Sequence, residues 1–393
     1  MDYRAIYAYP WDLADEGVDA VVQCVRALGL NTITVAGAYH AGKFLRPHGQ
    51  NGRVYFPEDG TVYFAADVQR YGAIAPVVSR VTRERDVLRE LAGDARVATH
   101  VWLVLLHNTR LGERHPDATV SNAFGDRYVY SLCPSAPDVR EYAIALCRDV
   151  TDHYPVAGII LETPGFLPYA HGFHHEFAMV PPSRWLDLRL GLCFCAHCVR
   201  GAEAAGIDAR ALQARIRADI DAGLSGDLAI PEDVADASWI ADLVADDVLS
   251  AFLRFRCGVV TALVRGIRAA VRPDADVAVI PTVARPTSAA WYEGSDLHAL
   301  ASVVGTVEAA LYEPSADRLR ADISDTQRRM RGAGTLRGIL RPAFPDLQTR
   351  GELMAAVRAL REAGASGIAF YNYGHVGRRN LAWIADAMQA WHC

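Results

Sequence analysis

The chain has 393 residues, 51% of them hydrophobic, and a mean hydropathy of +0.06. This composition supports a large buried core and excludes an intrinsically disordered protein. The net charge of −6, the pI of about 6.1 and the lack of any Lys/Arg run argue against a nucleic-acid partner.

The N-terminal sequence MDYRAIYAYPWDL has neither a basic start nor a long apolar stretch, so it is unlike a signal peptide. No part of the chain approaches the roughly 18 uninterrupted apolar residues of a membrane span. We therefore expect a cytoplasmic protein with no membrane partner. Three of the eight cysteines fall within six residues, and without an export signal this spacing favours a metal site over disulfides.

Eight short apolar runs recur along the chain, and each predicts a strand. They are Arg4–Tyr9, Thr32–Ala36, Val97–Leu106, Val156–Leu161, Val277–Pro281, a stretch within Val303–Tyr312, Leu336–Leu340 and Gly367–Tyr371. Helical patterns follow the runs, among them Asp15–Leu28, with Gly29 as its C-cap, Arg83–Leu91 and Asp138–Tyr154. Eight strand–helix units with right-handed crossovers predict an α/β protein with a (β/α)8 TIM barrel.

The alternation is interrupted after the fourth strand. Residues 163–192 have the composition of a loop, and residues from about 199 to 272 follow a helical pattern that is longer than one crossover needs. We predict a single barrel over residues 1–393, with a long, mostly helical insertion at about 163–255. The loops that follow the strands are the long ones, which predicts an active site at the carboxyl ends of the strands.

The insertion carries a C-x-C-x-x-C motif formed by Cys193, Cys195 and Cys198. A structural zinc site requires four tetrahedral thiolate or imidazole ligands, so a fourth ligand is needed. The candidates are Cys133, His197 and one of the histidines at 171–175. We favour Cys133 because its loop, after strand three, is next to the loop after strand four.

Glu162 directly follows the apolar run VAGIIL at the predicted end of strand four. A carboxylate in that position of a barrel is typical of a catalytic acid. Partial removal from water would raise its pKa and suit it to general acid catalysis.

The segment CPSAPDVREYA (133–143), the strand that ends in Glu162 and the motif CFCAHC together resemble glycoside hydrolase family 42, the β-galactosidases. That family has a CPNSPxYR-like segment, an acid/base Glu after strand four and a C-x-C-x-x-C motif. The resemblance implies a glycosidase with Glu162 as its acid/base. It also implies a structural Zn²⁺ ion held by Cys133, Cys193, Cys195 and Cys198.

Two positions depart from the pattern of that family. Leu161 stands where the family has Asn before the acid/base Glu. Strand seven continues as GILRPAF, so Arg341 stands where the family has its nucleophilic Glu. A glycosidase normally needs a second carboxylate, and the candidates are Glu313, Glu308 and Asp346. We favour Glu313 as base or nucleophile because it lies at the end of strand six, before Pro314.

Polar and aromatic residues follow most of the predicted strands, and we expect them to bind substrate hydroxyls or stack on sugar rings. They are Trp11, His40, His107, Asn108, His171, His174, His175, Arg341, Tyr371 and Asn372.

The sequence thus predicts a glycoside-hydrolase-like enzyme of carbohydrate metabolism whose partner is a small carbohydrate or glycoside. One alternative is a sugar-binding barrel that has lost hydrolysis, because strand seven lacks its carboxylate. Another is a metal-dependent hydrolase or lyase that uses the histidines at 171–175.

Overall fold

The computed structural model describes residues 3–171, 173, 177–180, 183–226 and 228–392. Eight parallel strands form a closed barrel in which the first strand pairs with both the second and the eighth. The strands are β1 Tyr3–Ala8, β2 Thr32–Tyr39, β3 Ala98–Val104, β4 Gly158–Glu162, β5 Asp276–Ile280, β6 Thr306–Ala310, β7 Thr335–Leu340 and β8 Gly367–Phe370. Each of the eight predicted runs overlaps one of these strands, so the (β/α)8 prediction is confirmed.

Helices follow every strand. They are α1 Pro10–Glu16, α2 Val18–Ala27, α3 Arg80–Glu84, α4 Val87–Ala92, α5 Thr109–Arg114, α6 Pro137–His153, α7 Arg184–Leu190, α8 Ala196–Ala204, α9 Ala209–Ser225, α10 Glu232–Ala245, α11 Asp247–Ala270, α12 Leu297–Val304, α13 Ala316–Met330, α14 Arg350–Glu362 and α15 Arg378–His392. The loops contain short strands at Phe44–Leu45, Val54–Tyr55, Thr61–Val62, Val77–Val78, Thr119–Ser121 and Arg127–Leu132, and 3₁₀ turns at Val68–Arg70, Pro116–Ala118 and Thr287–Glu293. None of the described helices is long and apolar enough to cross a membrane.

The predicted helix Asp15–Leu28 corresponds to α2 together with the last two residues of α1. Pro10 begins α1 because its fixed φ suits the first helical position. Gly17 separates α1 from α2 with a φ of +89°, a conformation that interrupts a helix and favours glycine.

Strand residues alternate between the barrel interior and the surrounding helices. Tyr3, Ala5 and Tyr7 of β1 belong to the inner cluster, whereas Ile6 and Ala8 pack under the helices. Both faces are buried, which explains why the strands appear in the sequence as nearly continuous apolar runs.

The lower end of the barrel interior is filled by a polar group that we call the barrel floor: Tyr3, Tyr7, Asp276, Glu308 and Arg337. Glu308 is fully buried and accepts hydrogen bonds from the hydroxyls of Tyr3, at 3.1 Å, and Tyr7, at 2.8 Å. Arg337 pairs with Asp276 at 2.7 Å and lies 3.9 Å from Glu308. Glu308 therefore belongs to the floor and not to the mouth of the barrel.

Helices α7 to α10 lie between β4 and α11 and have a hydrophobic cluster of their own, which includes Trp185 and Trp239. Arg189 is buried in this cluster, with its guanidinium 3.5 Å from the centre of the Trp185 ring. Its charge is balanced by Asp219, at 3.1 Å, and Asp242, at 2.8 Å. The long helix α11 completes the crossover from β4 to β5.

Candidate active site

A cavity of about 230 Å³, which we call the central cavity, opens at the carboxyl end of the barrel. Each of the eight strands, or the residue directly after it, contributes to its lining. The lining residues are Tyr7, Tyr39, His40, Trp102, Glu162, His171, Ile280, Val283, Ala310, Tyr312, Ile339, Arg341 and Tyr371. The cavity therefore lies where barrel enzymes carry their active sites.

Glu162 is the last residue of β4 and presents its carboxyl group to the central cavity. Burial raises the pKa of Glu162 to about 7, while a hydrogen bond donated by the indole N–H of Trp102 opposes that rise. The next residue, Thr163, has a φ of +51°, which is an uncommon and strained conformation for a residue other than glycine. Strained residues of this kind are concentrated at functional sites, and this one directly follows the carboxyl-bearing residue.

Glu293, at the end of the 3₁₀ turn after β5, is a second buried carboxyl group close to Glu162. Burial and the negative charge of Glu162 raise the pKa of Glu293 to about 8, while Thr282 and Arg256 act in the opposite direction. The Thr282 hydroxyl donates to Glu293 Oε1 at 2.5 Å. Two interacting carboxyl groups with raised pKa values can hold one proton between them near neutral pH.

The loop after Glu162 and the 3₁₀ turn that carries Glu293 are joined by close backbone contact. The Phe166 N–H donates to the Glu293 carbonyl at 2.9 Å. A Cβ atom on Gly165 would lie only 2.1 Å from that same carbonyl oxygen. Glycine at 165 is thus required for the approach of the two segments, and this approach determines where Glu293 lies relative to Glu162.

We expect Gly165→Ala to separate these segments, lower the free energy of unfolding by about 1–3 kcal/mol and reduce activity. Urea unfolding and turnover would measure the two effects. Gly258→Ala is the matched control, because a Cβ at Gly258 meets no atom within 4 Å. The control lies within α11 and should be neutral or stabilising by up to about 1 kcal/mol. Equal behaviour of the two variants would contradict the role assigned to Gly165.

Hydrogen bonds between tyrosine hydroxyls link aromatic residues on one side of the central cavity. The hydroxyl of Tyr9 donates to that of Tyr39 at 2.9 Å and lies 2.7 Å from that of Tyr371. Burial raises the pKa of all three residues, so they remain neutral at physiological pH. Neutral hydroxyls and aromatic faces suit the binding of a sugar ring.

Two further cavities adjoin the central one. A cavity of about 380 Å³ includes Glu293 and Tyr292, and a cavity of about 350 Å³ includes His107 and Phe173. His171 contributes to all three. Space for a ligand therefore extends to both sides of the central cavity.

The structure places Glu313 outside the central cavity. Its side chain is buried after β6 and pairs with Arg318 of α13 at 2.7 Å. The structure instead brings Glu293 close to Glu162. Asp346, the other loop candidate, is buried between Arg285 at 2.8 Å and Arg341 at 3.2 Å.

The predicted substrate-binding residues fall into two groups. His40, His171, Arg341 and Tyr371 line the central cavity, and His107 stacks on His40 with 4.1 Å between the ring centres. Trp11, Asn108 and Asn372 have structural contacts instead and do not line the cavity. The sequence positions of His174 and His175 lie outside the described residues.

Three predicted substrate residues are held by their own surroundings. Trp11 is buried and stacks on Tyr9 at 4.2 Å. Asn108 accepts a hydrogen bond from the Leu111 N–H at 2.9 Å, which makes it the N-cap of α5. Asn372 is buried and accepts from the backbone N–H of Gly374 at 2.9 Å. These side chains shape the loops around the site.

The four cysteines of the predicted zinc site lie together, with all four sulfur atoms within 4.8 Å of one another. Cys133 Sγ is 3.8 Å from that of Cys193 and 3.5 Å from those of Cys195 and Cys198. Tetrahedral zinc with Zn–S bonds of about 2.3 Å places its sulfurs roughly 3.8 Å apart. The donor set therefore fits a four-coordinate metal ion with no position left for water.

The cysteine cluster joins the insertion to the loop after β3. The N–H of Ser121 lies 3.5 Å from Cys193 Sγ, and the N–H of Phe194 donates to the Ser121 carbonyl at 2.6 Å. The buried side chain of Arg256 donates to the carbonyls of Gly191 and Tyr292, next to the cluster and next to Glu293 respectively. The cluster thus stabilises the part of the fold that supports Glu293.

No family model and no curated protein matches the sequence. Among solved structures, the chain is similar to the PgaB (BpsB) glycoside hydrolase domain from Bordetella bronchiseptica, with 15% identity, a TM-score of 0.59 and 99% of both chains covered. It is also similar to the β-galactosidase from the psychrophilic Marinomonas ef1, with 11% identity and a TM-score of 0.55. That match covers 98% of this chain but 59% of the β-galactosidase. At these identities the similarities show the barrel fold that the chain shares with these two proteins, and the specific resemblance to family 42 is not confirmed.

Sequence reasoning missed Glu293 and Trp102. Trp102 lies inside an apolar strand, where only the two-residue alternation with His100 and Val104 indicates that it points into the barrel. Glu293 lies in a loop with no motif around it. The available signal was its distance of 13 residues after β5 ends, which does not distinguish it from other loop carboxylates.

Proposed function

We propose that the protein is a glycoside hydrolase that acts on a carbohydrate or glycoside. The observation that carries the proposal is Glu162, a buried carboxyl group with a raised pKa, at the end of β4 in a cavity lined by aromatic rings. In this proposal Glu162 is the general acid and Glu293 replaces Glu313 as the second carboxylate. A structural Zn²⁺ ion is held by Cys133, Cys193, Cys195 and Cys198.

The reaction would begin with a sugar ring stacked against the aromatic side of the central cavity. Protonated Glu162 would give its proton to the glycosidic oxygen as the bond to the anomeric carbon breaks. Ionised Glu293, stabilised by the Thr282 hydroxyl and the charge of Arg256, would act on the other side of the ring as base or nucleophile. Because Glu293 has the higher pKa of the two, the reacting form, with the proton on Glu162, is the minor form of the singly protonated pair. The metal would supply structure and no chemistry, because the four thiolates complete its coordination.

A panel of aryl glycosides tests the proposal directly. Hydrolysis of at least one member, lost in Glu162→Gln, is the expected result. Absence of hydrolysis throughout, with retained sugar binding by calorimetry, would favour the alternative of a sugar-binding barrel. The position of Arg341 after β7, where a nucleophilic carboxylate is absent, is the observation in favour of that alternative.

The alternative of a metal-dependent hydrolase requires a second metal site. Among the residues that the structure describes, the one group of three or more potential metal ligands is the cysteine cluster. Metal analysis decides the matter, because this alternative needs a catalytic metal that the cysteines do not hold.

The pH dependence of kcat/KM should be bell-shaped, with an acidic limb near pH 7 and a basic limb near pH 8. The reaction needs one proton on the pair of Glu162 and Glu293, so the rate falls at low pH, where both carboxyl groups are protonated, and at high pH, where both are ionised. Trp102→Phe removes the N–H that stabilises the ionised form of Glu162, so the pKa of Glu162 rises and the acidic limb moves to higher pH. An acidic limb that stays in place in Glu162→Gln would show that another group titrates.

A further inference from the structure

Arg341 places a positive charge in the lining of the central cavity. It directly follows β7, and its guanidinium carbon lies 4.0 Å from the centre of the Tyr312 ring. Contact with an aromatic face holds the flat guanidinium group against the cavity lining. The side chain is 27% exposed, so it is held in place but still accessible.

The negative charge closest to Arg341 is already paired with another arginine. Asp346 accepts a hydrogen bond from Arg285 Nη1 at 2.8 Å. Arg341 Nη1 lies 3.2 Å from the other oxygen of Asp346, and that oxygen and Arg341 Nε are buried without a hydrogen-bond partner among the described residues. Two guanidinium groups thus share one carboxylate, which leaves one positive charge uncompensated.

The other acidic groups near the cavity do not supply that compensation. Glu162 has its raised pKa because burial outweighs the Trp102 hydrogen bond, and no cation contributes. Glu308 lies in the barrel floor, where it faces Tyr7 and Arg337. Glu293 lines the adjacent cavity, where the charge of Arg256 acts on it. When Glu162 is protonated, Arg341 therefore gives the lining of the central cavity an uncompensated positive charge.

From this charge balance, and resting on the proposed function, we infer that the central cavity binds a sugar with an anionic substituent. The substituent is a carboxylate, as in a uronic acid, or a sulfate ester. Arg341 would bind it through the accessible part of its guanidinium group, as guanidinium groups bind planar and tetrahedral oxyanions. A cation at the position where the family that the sequence resembles has its nucleophilic carboxylate would thus become a determinant of specificity.

Calorimetry at pH 6 with matched sugars tests this inference. The probes are glucuronic acid against glucose, galacturonic acid against galactose, and glucose 6-sulfate against glucose. We expect the charged member of at least one pair to bind about ten- to hundredfold more tightly, because a charge-assisted hydrogen bond contributes that much. The pair with the largest preference for its charged member identifies the substituent. Added salt should reduce that preference.

Arg341→Met should lower the affinity for the charged sugar at least about tenfold more than the affinity for its neutral partner, because it removes the charge while Asp346 keeps Arg285 and the fold is retained. Arg341→Lys, which keeps the charge but loses the planar fork, should retain part of the preference. Arg350→Met is the matched control, since Arg350 is 60% exposed and pairs with Asp386 on the outer helices. Circular dichroism checks that each variant is folded.

Equal affinity for charged and neutral sugars, or an equal loss for both in Arg341→Met, would overturn the inference even if aryl glycosides are hydrolysed. A preference for the charged sugars that depends on Arg341 supports it even if no glycoside is hydrolysed, in which case the proposed function alone fails. Failure of every sugar to bind would overturn the inference, and together with a lack of hydrolysis of all aryl glycosides it would overturn the proposed function as well.

Discussion

Glu162→Gln should lower the turnover of aryl glycosides by about 10²–10⁴-fold while the protein stays folded. Glutamine keeps the size of the side chain and can still accept a hydrogen bond from Trp102, but it cannot donate a proton to the departing oxygen. Steady-state kinetics and thermal unfolding measure the two parts of this expectation.

The loss should depend on the leaving group. A substrate with an acidic phenol needs little protonation as the bond breaks, so it should lose less rate than one with a poor leaving group. A residue that only binds substrate would weaken all substrates alike. Glu293→Gln should also be severely impaired, whereas Glu313→Gln should change turnover little because Glu313 is paired with Arg318 outside the central cavity. An unchanged rate in Glu162→Gln would end the proposed mechanism.

Cys195→Ser should release the metal and lower the free energy of unfolding by more than about 4 kcal/mol. The purified protein should contain about one Zn²⁺ per chain, with Zn–S distances near 2.3 Å by X-ray absorption. The reason for the large effect is that the four sulfurs come from the loop after β3 and from the insertion, so the metal crosslinks two segments 60 residues apart in sequence. Metal analysis and thermal unfolding measure the outcome.

Cys24→Ser is the matched control for that experiment, because Cys24 is a partly buried thiol on α2 that does not belong to the cluster. It should retain the metal and most of the stability. Because the site has no position for water, chelation should reduce stability before it affects turnover. A wild-type protein that is fully stable, metal-free and carries four reduced thiols would refute the zinc assignment.

The barrel was predictable because its strands are buried on both faces, so each appears as an apolar run bounded by polar residues. The position of Glu162 followed from the same pattern, since the first charged residue after such a run lies at the strand end. Cys133 could be grouped with the distant C-x-C-x-x-C motif because consecutive loops of a barrel are neighbours in space, and the structure brings these four residues together.

Glu293, the proposed second carboxylate, could not be predicted in this way. Glu293 is positioned by a backbone contact with Gly165 and a hydrogen bond from Thr282, and neither interaction leaves a periodic pattern in the sequence. For Asn108 the sequence allowed two different roles. A polar residue after a strand can face the ligand or cap the next helix, and the sequence alone does not distinguish these uses, whereas the structure shows an N-cap.

The barrel floor has a consequence for how molecules enter and leave. Tyr7 lines the central cavity and also donates to Glu308, which lies beneath it and faces Arg337. This group closes the interior at one end, so in the proposed function substrate and products would enter and leave through the same opening. Product that still occupies the mouth would then block the next substrate, and we expect competitive inhibition by the released sugar to limit turnover at high conversion.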